Sequence, residues 1–341
     1  MSYQNPSLLE AGFPALSENR AYRTVSTALT ETELQDRHRR FLSAATSDNT
    51  RRAYRSAIRH FQTWGGVLPC EPALVRRYLL TYAEALNPRT LALRLTALSQ
   101  WHQFQGFADP TSHPDVRTTL RGIARTHGRP KKKAKALPID DLEAMVRLLR
   151  SDTTLQGMRN NALLQIGFFG AFRRSEVAEL TVDNLTWEPD GLIITLSRSK
   201  TDQDGQGIIK AIPFGAPNGM CCPVTALKKW LTAAQITSGA IFRRITRQGI
   251  VGGEALYAGS VNAILKSCAA MAKLSSVPEL SGHSFRRGLA TSAYRAGADF
   301  KTIKRQGGWR HDATVQGYID EAGQFEDNAA GSLLRRVTGA Q

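Results

Sequence analysis

No apolar stretch in this sequence approaches the ~20 residues that cross a bilayer, and its first residues lack the basic-then-apolar pattern of a secretory signal. The expectation is a protein of the cytoplasm without a membrane partner. Cysteine is scarce. Cys70, Cys221, Cys222 and Cys268 show no Cys-x-x-Cys spacing and no paired histidines, so neither a zinc centre nor a disulfide scaffold is implied. The adjacent Cys221 and Cys222 read as packing residues rather than a bonded pair. Internal repeats, low-complexity tracts and carboxylate clusters suited to Mg²⁺ are also missing, so no metal and no other cofactor is expected. Acid is in deficit: 29 Asp+Glu face 45 Lys+Arg, a net charge of +16. Such an excess favours a polyanionic partner and speeds encounter with it, although charge alone also suits an anionic membrane surface.

What is present is enough for two folded domains. The 341 residues, 42% hydrophobic and 22% charged, have the balance of an ordinary globular chain. Residues 1–30, with Pro6 and Pro14 and no sustained period, read as a loose arm. Helical stripes follow: Tyr54, Ile58 and Phe61 after the start signal Ser47-Asp48-Asn49-Thr50; Val75, Tyr78, Leu79 and Tyr82 after Pro72; Leu91, Leu95 and Leu98 after Pro88; Val116, Leu120 and Ile123 after Pro114. Arginines flank them: Arg51, Arg52, Arg55 and Arg59, then Arg76 and Arg77. Arg117, Arg121 and Arg125 recur every fourth residue and form one basic ridge. A charge run is ordinarily a solvated face. Here glutamates able to neutralise it are nearly missing, which favours contact with DNA.

The clearest boundary is Gly128-Arg-Pro-Lys-Lys-Lys-Ala-Lys135, five of whose residues are cationic. It reads as a linker tracking a phosphate backbone through Lys131, Lys132 and Lys133, or as a linker kept soluble by its lysines. Beyond it the pattern is mixed. Leu142, Met145, Val146 and Leu149 mark a helix, and an apolar segment runs from Asn161 to Phe172. The β-rich runs Gly191–Leu196 and Ile208–Ile212 predict a hairpin with Lys200 near its turn. Helical patterns return over 224–234, 260–273, 283–296 and 300–306.

Six polar residues in this half form a chemical kit. Arg173 lies in Ala-Phe-Arg-Arg-Ser-Glu, Lys200 in Arg-Ser-Lys-Thr, His283 and Arg286 in Gly-His-Ser-Phe-Arg, Trp309 in Gly-Gly-Trp, and Tyr318 nine residues on. Two guanidinium forks neutralise the charge that gathers on a phosphodiester under attack. A phenol in that field, with a base beside it, can act as a covalent nucleophile. Each residue taken singly is an ordinary surface or core residue; their joint occurrence in a basic chain carries the signal.

These strings resemble the tyrosine site-specific recombinases, over about residues 140–341. The likeness is to the Cre-like members: a Trp stands where many relatives carry a second His, the length is similar, and a segment follows the Tyr. The resemblance implies a mostly α fold with a small β-sheet or hairpin. It would be a two-domain, C-shaped clamp with an all-helical core-binding DNA domain over residues 31–128, a basic linker over 129–136, a mixed α/β catalytic domain over 137–323 and a trans-docking helix over 324–341. It also implies roles. Arg173 and Arg286, rather than their neighbours Arg174 and Arg287, would clamp the scissile phosphate. Glu176 would orient a catalytic side chain, Lys200 would protonate the departing 5′-oxygen, His283 would assist proton transfer, and Trp309 would donate its indole hydrogen to a phosphate oxygen. Tyr318 would attack. The implied partner is double-stranded DNA with an inverted-repeat site, held by a homotetramer with two protomers per site, and the implied place is the nucleoid. Arg51, Arg52, Arg55, Arg117, Arg121, Arg125 and the linker lysines would contact its backbone. Tyr294 reads as core, Tyr257 as part of a Gly-rich loop, and His311 as a surface residue or a contact to the DNA backbone. Asp202 and Asp204 would solvate the hairpin turn or pair with Lys200. A relaxing enzyme of the type IB topoisomerase kind shares this chemistry, and a DNA-binding regulator with an inactive site shares the scaffold.

Overall fold

The computed structural model describes residues 32–34, 36–37, 46–130, 133–196, 207–325 and 328–337. The expected arm, Lys131, Lys132, Lys200, Asp202 and Asp204 lie outside them. The chain divides into two compact units, residues 1–131 and 132–341.

In the first unit the described residues form four α-helices: α1 (Asp48–Thr63), α2 (Pro72–Thr81), α3 (Pro88–Phe104) and α4 (Pro114–His127). Ser47 caps α1, its hydroxyl accepting from the Thr50 N–H at 3.2 Å. The other three helices open on proline, whose missing N–H is not needed in a first turn. Their apolar stripes meet in one core of Phe61, Val75, Tyr78, Leu79, Leu91, Leu95, Leu98, Val116 and Ile123. The predicted stripe on α1 is shifted. Ala57 and Phe61 are buried, while Tyr54 and Ile58 lie at the rim. Arg52, Arg55, Arg117, Arg121 and Arg125 are exposed, but Arg51 is paired with Asp48 and Arg76 with Asp115. Aspartates therefore supply part of the neutralisation that the few glutamates do not.

The second unit is mostly helical around a small sheet, as expected. Helix α5 (Ile139–Ser151) is followed by α6 (Leu155–Phe169), which has Leu163, Leu164, Ile166 and Phe168 all buried and serves as the central helix. A short helix, α7 (Arg174–Ala178), leads to an antiparallel sheet of β1 (Leu185–Glu188), β2 (Gly191–Leu196) and β3 (Ile208–Pro213), in which Ile194 pairs with Lys210. The β2–β3 hairpin is the predicted one. The chain continues through α8 (Pro223–Ala233), the strand pair β4 (Arg243–Ile245) and β5 (Val251–Ala255), α9 (Ala258–Met271), α10 (His283–Arg295), α11 (Phe300–Gly307), α12 (Asp312–Gly323) and α13 (Ala329–Val337). The pattern does not disclose β1, three of whose four residues are exposed, or β5, which contains Gly252 and Gly253. Strand β5 takes up the stretch expected to be a Gly-rich loop, and Tyr257 stands just before α9. The four cysteines are free thiols. Among the described residues no helix is long and apolar enough to cross a membrane.

A second, smaller core of Ala171, Ala290, Ile303, Trp309, Val315 and Ile319 binds α10, α11 and α12 to the turn after α6. Tyr294 and Tyr318 pack against its edge. Trp309 belongs to this small core, Tyr318 packs against it, and Arg286 lies over the Trp309 ring.

Candidate active site

Helix α6 ends in a turn with Ala171 at φ +47°, a left-handed conformation that a residue with a Cβ adopts at a cost of roughly 1–2 kcal/mol. The turn is held by the Ala171 and Phe172 N–H groups, which donate to the carbonyls of Phe168 and Gly167 at 2.9 and 3.0 Å. It delivers Arg173 to the start of α7. There the Arg173 N–H donates to Glu176 Oε2 at 2.8 Å, and its guanidinium pairs with the same carboxylate. Glu176 is 8% exposed, and its carboxylate holds Arg173 by both its backbone N–H and its guanidinium.

Arg286, on the first turn of α10, is 2% exposed. One terminal nitrogen, Nη1, donates to two backbone carbonyls, Ala171 at 2.6 Å and Gly307 at 2.9 Å. The strained turn after α6 thus aims a carbonyl at this guanidinium. The other nitrogen, Nη2, is buried and has no partner among the described residues. The Trp309 ring covers the group, with its centroid 4.6 Å from the guanidinium carbon. Burial, aided by Arg173, lowers the Arg286 pKa to about 10, which leaves it cationic at neutral pH.

Trp309 is set by the two glycines before it. A Cβ on Gly307 would lie 1.7 Å from the indole, and Gly308 closes α11 at φ +62°. The Trp309 and Tyr318 rings meet edge to face at 5.8 Å. Helix α12 holds Tyr318 so that its phenol oxygen lies 3.5 Å from His283 Nε2. His283 is exposed at the first position of α10. Burial raises the Tyr318 pKa, against the pull of Arg286, Arg287 and Arg173. At neutral pH the phenol therefore keeps its proton, with the His283 imidazole within 3.5 Å.

Arg173, Glu176, His283, Arg286, Trp309 and Tyr318, which the motifs single out over 146 positions of sequence, thus share one site. Lys200 is on the connection between β2 and β3, outside the described residues. Of the predicted DNA-contact residues, Lys133 is exposed in the second unit, where the Lys135 N–H donates to the Glu279 carbonyl at 3.2 Å.

Two side chains at the site escape motif reasoning. Arg287 is 3% exposed and pairs with Glu321, with its guanidinium carbon 5.6 Å from the Tyr318 ring centroid. Lys210 is 1% exposed on β3. The sequence does carry a signal for it: strand alternation puts position 210 on the inward face with Ile208 and Ile212.

Both units of the chain match known protein families. The model of the "Phage integrase family" matches residues 135–324, and that of "Phage integrase, N-terminal SAM-like domain" matches residues 36–105. The chain is 36% identical over 306 residues to an integrase/recombinase XerD homolog of Selenomonas ruminantium, covering 87% of this chain and 89% of that protein. It is 26% identical over 314 residues to the recombinase Cre of Escherichia phage P1, covering 85% and 88%. Among solved structures, a lambda integrase dimer bound to a COC′ core site superposes with a TM-score of 0.56 at 16% identity, covering 88% of this chain and 80% of that one. A lambda integrase tetramer bound to a Holliday junction gives 0.54 at 16% identity, covering 89% and 81%.

Proposed function

The chain belongs to the phage integrase family, the tyrosine recombinases that cut and transfer DNA strands, and we propose that Tyr318 is its nucleophile, joined to a 3′-phosphate during each cycle. The observation that carries this reading is the buried Nη2 of Arg286, which has no partner among the described residues. An orphaned buried donor costs about 1–3 kcal/mol, and more when charged. Such a group is retained where a ligand oxygen completes it. Arg173, whose guanidinium Glu176 steers, supplies the second fork, and the pair would neutralise the non-bridging oxygens of one phosphate.

The chemistry follows from the neighbours. The Tyr318 oxygen attacks phosphorus and its proton passes to His283 Nε2. The bond from phosphorus to the 5′-oxygen breaks, and that oxygen takes a proton from Lys200. Phosphorus keeps its bond to the 3′-oxygen and is now joined to the Tyr318 oxygen. The phosphotyrosyl bond conserves the energy of the bond that was cut, so a 5′-hydroxyl from a second duplex can reverse the step without ATP or a metal. Two such exchanges would carry a pair of short inverted-repeat sites through a Holliday junction. The fold shared with lambda integrase, whose tetramer has been seen on such a junction, supports four protomers acting on two duplexes, with exposed arginines of α1 and α4 and the linker lysines on the backbone.

A library of nicked duplexes with randomised sequence tests the reading. Wild-type protein should form a covalent protein–DNA band with a subset of these duplexes, and Tyr318→Phe should bind the selected duplex within a few-fold but form none. Retained attachment in the variant would give the nucleophile's role to another tyrosine. Binding without any band would make the protein a regulator. Relaxation of supercoiled plasmid without pairing of sites would favour the topoisomerase-like activity.

A further inference from the structure

Lys210 occupies a place where a strand ordinarily puts an aliphatic side chain. Ile208, Lys210 and Ile212 point to the interior of β3, while Ile209, Ala211 and Pro213 point away from it. An ammonium this deeply buried is tolerated only when it is held. Its Nζ donates to the Gln306 carbonyl at 2.8 Å. That carbonyl lies in the last turn of α11, where the helix dipole favours a cation. The Phe172 ring centroid lies 5.2 Å from the Lys210 Nζ, and Phe172 is next in sequence to Arg173.

The target of this contact gives it meaning. Gln306 and Gly307 are the residues before Gly308-Trp309, and their consecutive carbonyls are taken by Lys210 and by Arg286 respectively. The Gln306 side chain completes the junction, donating to the carbonyls of Phe169 at 2.8 Å and Ala211 at 3.1 Å. Strand β3, the turn after α6 and the turn bearing Trp309 therefore meet at one knot of hydrogen bonds directly under Arg286. Strand β3 is also the returning arm of the hairpin that carries Lys200.

We propose that Lys210 is a positioning residue for strand cleavage: it locks strand β3 to the Gln306–Trp309 turn, so that the indole and Arg286 meet the scissile phosphate in fixed register. The proposal rests on the strand-cleavage reading above and adds a residue to it. The charged groups facing Lys210 are Arg286 on α10, which opposes its charge, Arg173 before α7, which also opposes it, and Glu176 on α7, which favours it. Burial and these neighbours lower its pKa to about 7. The lysine is thus charged below neutrality and loses its proton as pH rises through that value. The neutral amine still reaches Gln306, but as a weaker donor.

The test uses the nicked duplex selected with wild-type protein, and compares single-turnover cleavage by Lys210→Met, Lys210→Arg and Gln306→Ala. Lys210→Met should slow cleavage by about 10- to 100-fold, the scale of a small misplacement of reacting groups, with DNA affinity unchanged. Gln306→Ala should slow it less, by about 3- to 10-fold. Lys210→Arg should recover part of the loss. The ratio of wild-type to Lys210→Met rates should be largest near pH 6 and shrink towards pH 8.5, whereas a packing role would leave it flat. A substrate with a 5′-bridging sulfur should rescue Lys200→Ala but not Lys210→Met. Wild-type cleavage by Lys210→Met overturns the proposal, as does a flat ratio. Rescue by sulfur overturns it too, because Lys210 would then be the proton donor itself. If Lys210→Met fails to fold, wild-type cleavage by Gln306→Ala overturns it instead. Failure of wild-type protein to trap any duplex would remove the strand-cleavage reading, a separate result from these.

Discussion

Arg287 and Glu321 form an ion pair that fastens α10 to α12 one turn beyond Tyr318. The sequence places Arg287 beside the motif arginine, yet the two side chains have different work. Arg286 faces the proposed phosphate site, while Arg287 lies against the face of the Tyr318 ring and holds the helix that carries it. His283, at the start of α10, is thereby kept within 3.5 Å of the phenol of the same chain.

Glu321→Gln should therefore act on both stability and rate. It leaves Arg287 buried with a weaker partner, which should destabilise the fold by about 1–3 kcal/mol. It also loosens α12, which should slow covalent attachment by about 10-fold or more. Chemical denaturation and suicide-substrate kinetics on Glu321→Gln, Arg287→Met and the double variant would give a coupling energy. A coupling near zero in both measurements would mean that the pair is incidental.

The two arginines of the proposed phosphate site should differ in how they fail. Arg173→Ala should slow cleavage by roughly 10²–10³, the scale for loss of a preorganised charge-stabilising donor. Arg286→Lys retains a charge but cannot hold two carbonyls with one nitrogen and a phosphate oxygen with another. It should slow cleavage by about the same factor despite the conserved charge. Cleavage by Arg286→Lys within a few-fold of wild type would show that charge alone, rather than the fork, is what the site uses.

The family resemblance carried by the motifs makes the centre of this site legible, and Arg173, His283, Arg286, Trp309 and Tyr318 do come together. Apolar periodicity likewise makes the cores legible, from Leu91, Leu95 and Leu98 on α3 to Leu142, Met145, Val146 and Leu149 on α5. What periodicity cannot show is anything resting on tertiary pairing. Strand β1 has one partly buried residue and no apolar run. Ala171 gives no hint of a positive φ, because the conformation is imposed by the Phe172 and Arg286 contacts rather than by its own preference. For Lys210, alternation with Ile208 and Ile212 signals an inward side chain, but only the carbonyl at the end of α11 explains how its ammonium is buried.

The basic ridge on α4 gives an electrostatic prediction. Arg117, Arg121 and Arg125 are exposed along one helix whose opposite face carries the buried Val116 and Ile123. Replacing all three with Gln should weaken binding to the selected duplex and to random DNA alike. The slope of log affinity against log salt should fall by up to about 3, one unit for each phosphate left without its arginine. Weakening confined to the selected sequence would show that these arginines read bases.

Assembly should depend on α13. Phe325, just after α12, is 81% exposed and Leu333 on α13 is 63% exposed, an amount of apolar surface that an isolated protomer leaves in water without gain. Asn328 starts the helix, its side-chain oxygen accepting from the Ala330 N–H at 2.8 Å, so the segment is built as a helix rather than as a trailing end. Docked into a neighbouring protomer, it would cover these side chains and, through α12, bear on the position of Tyr318. We therefore expect a monomer without DNA, two protomers on one site and four in a complex of two sites. Deleting residues 325–341 should leave single-site binding within a few-fold while eliminating synapsis and recombination. Leu333→Asp should impair both without altering binding. Sedimentation of protein–DNA complexes and an assay joining two plasmid-borne sites would read the outcome. Recombination at the wild-type rate by the truncated protein would show that α13 serves its own domain and that the contact between protomers lies elsewhere.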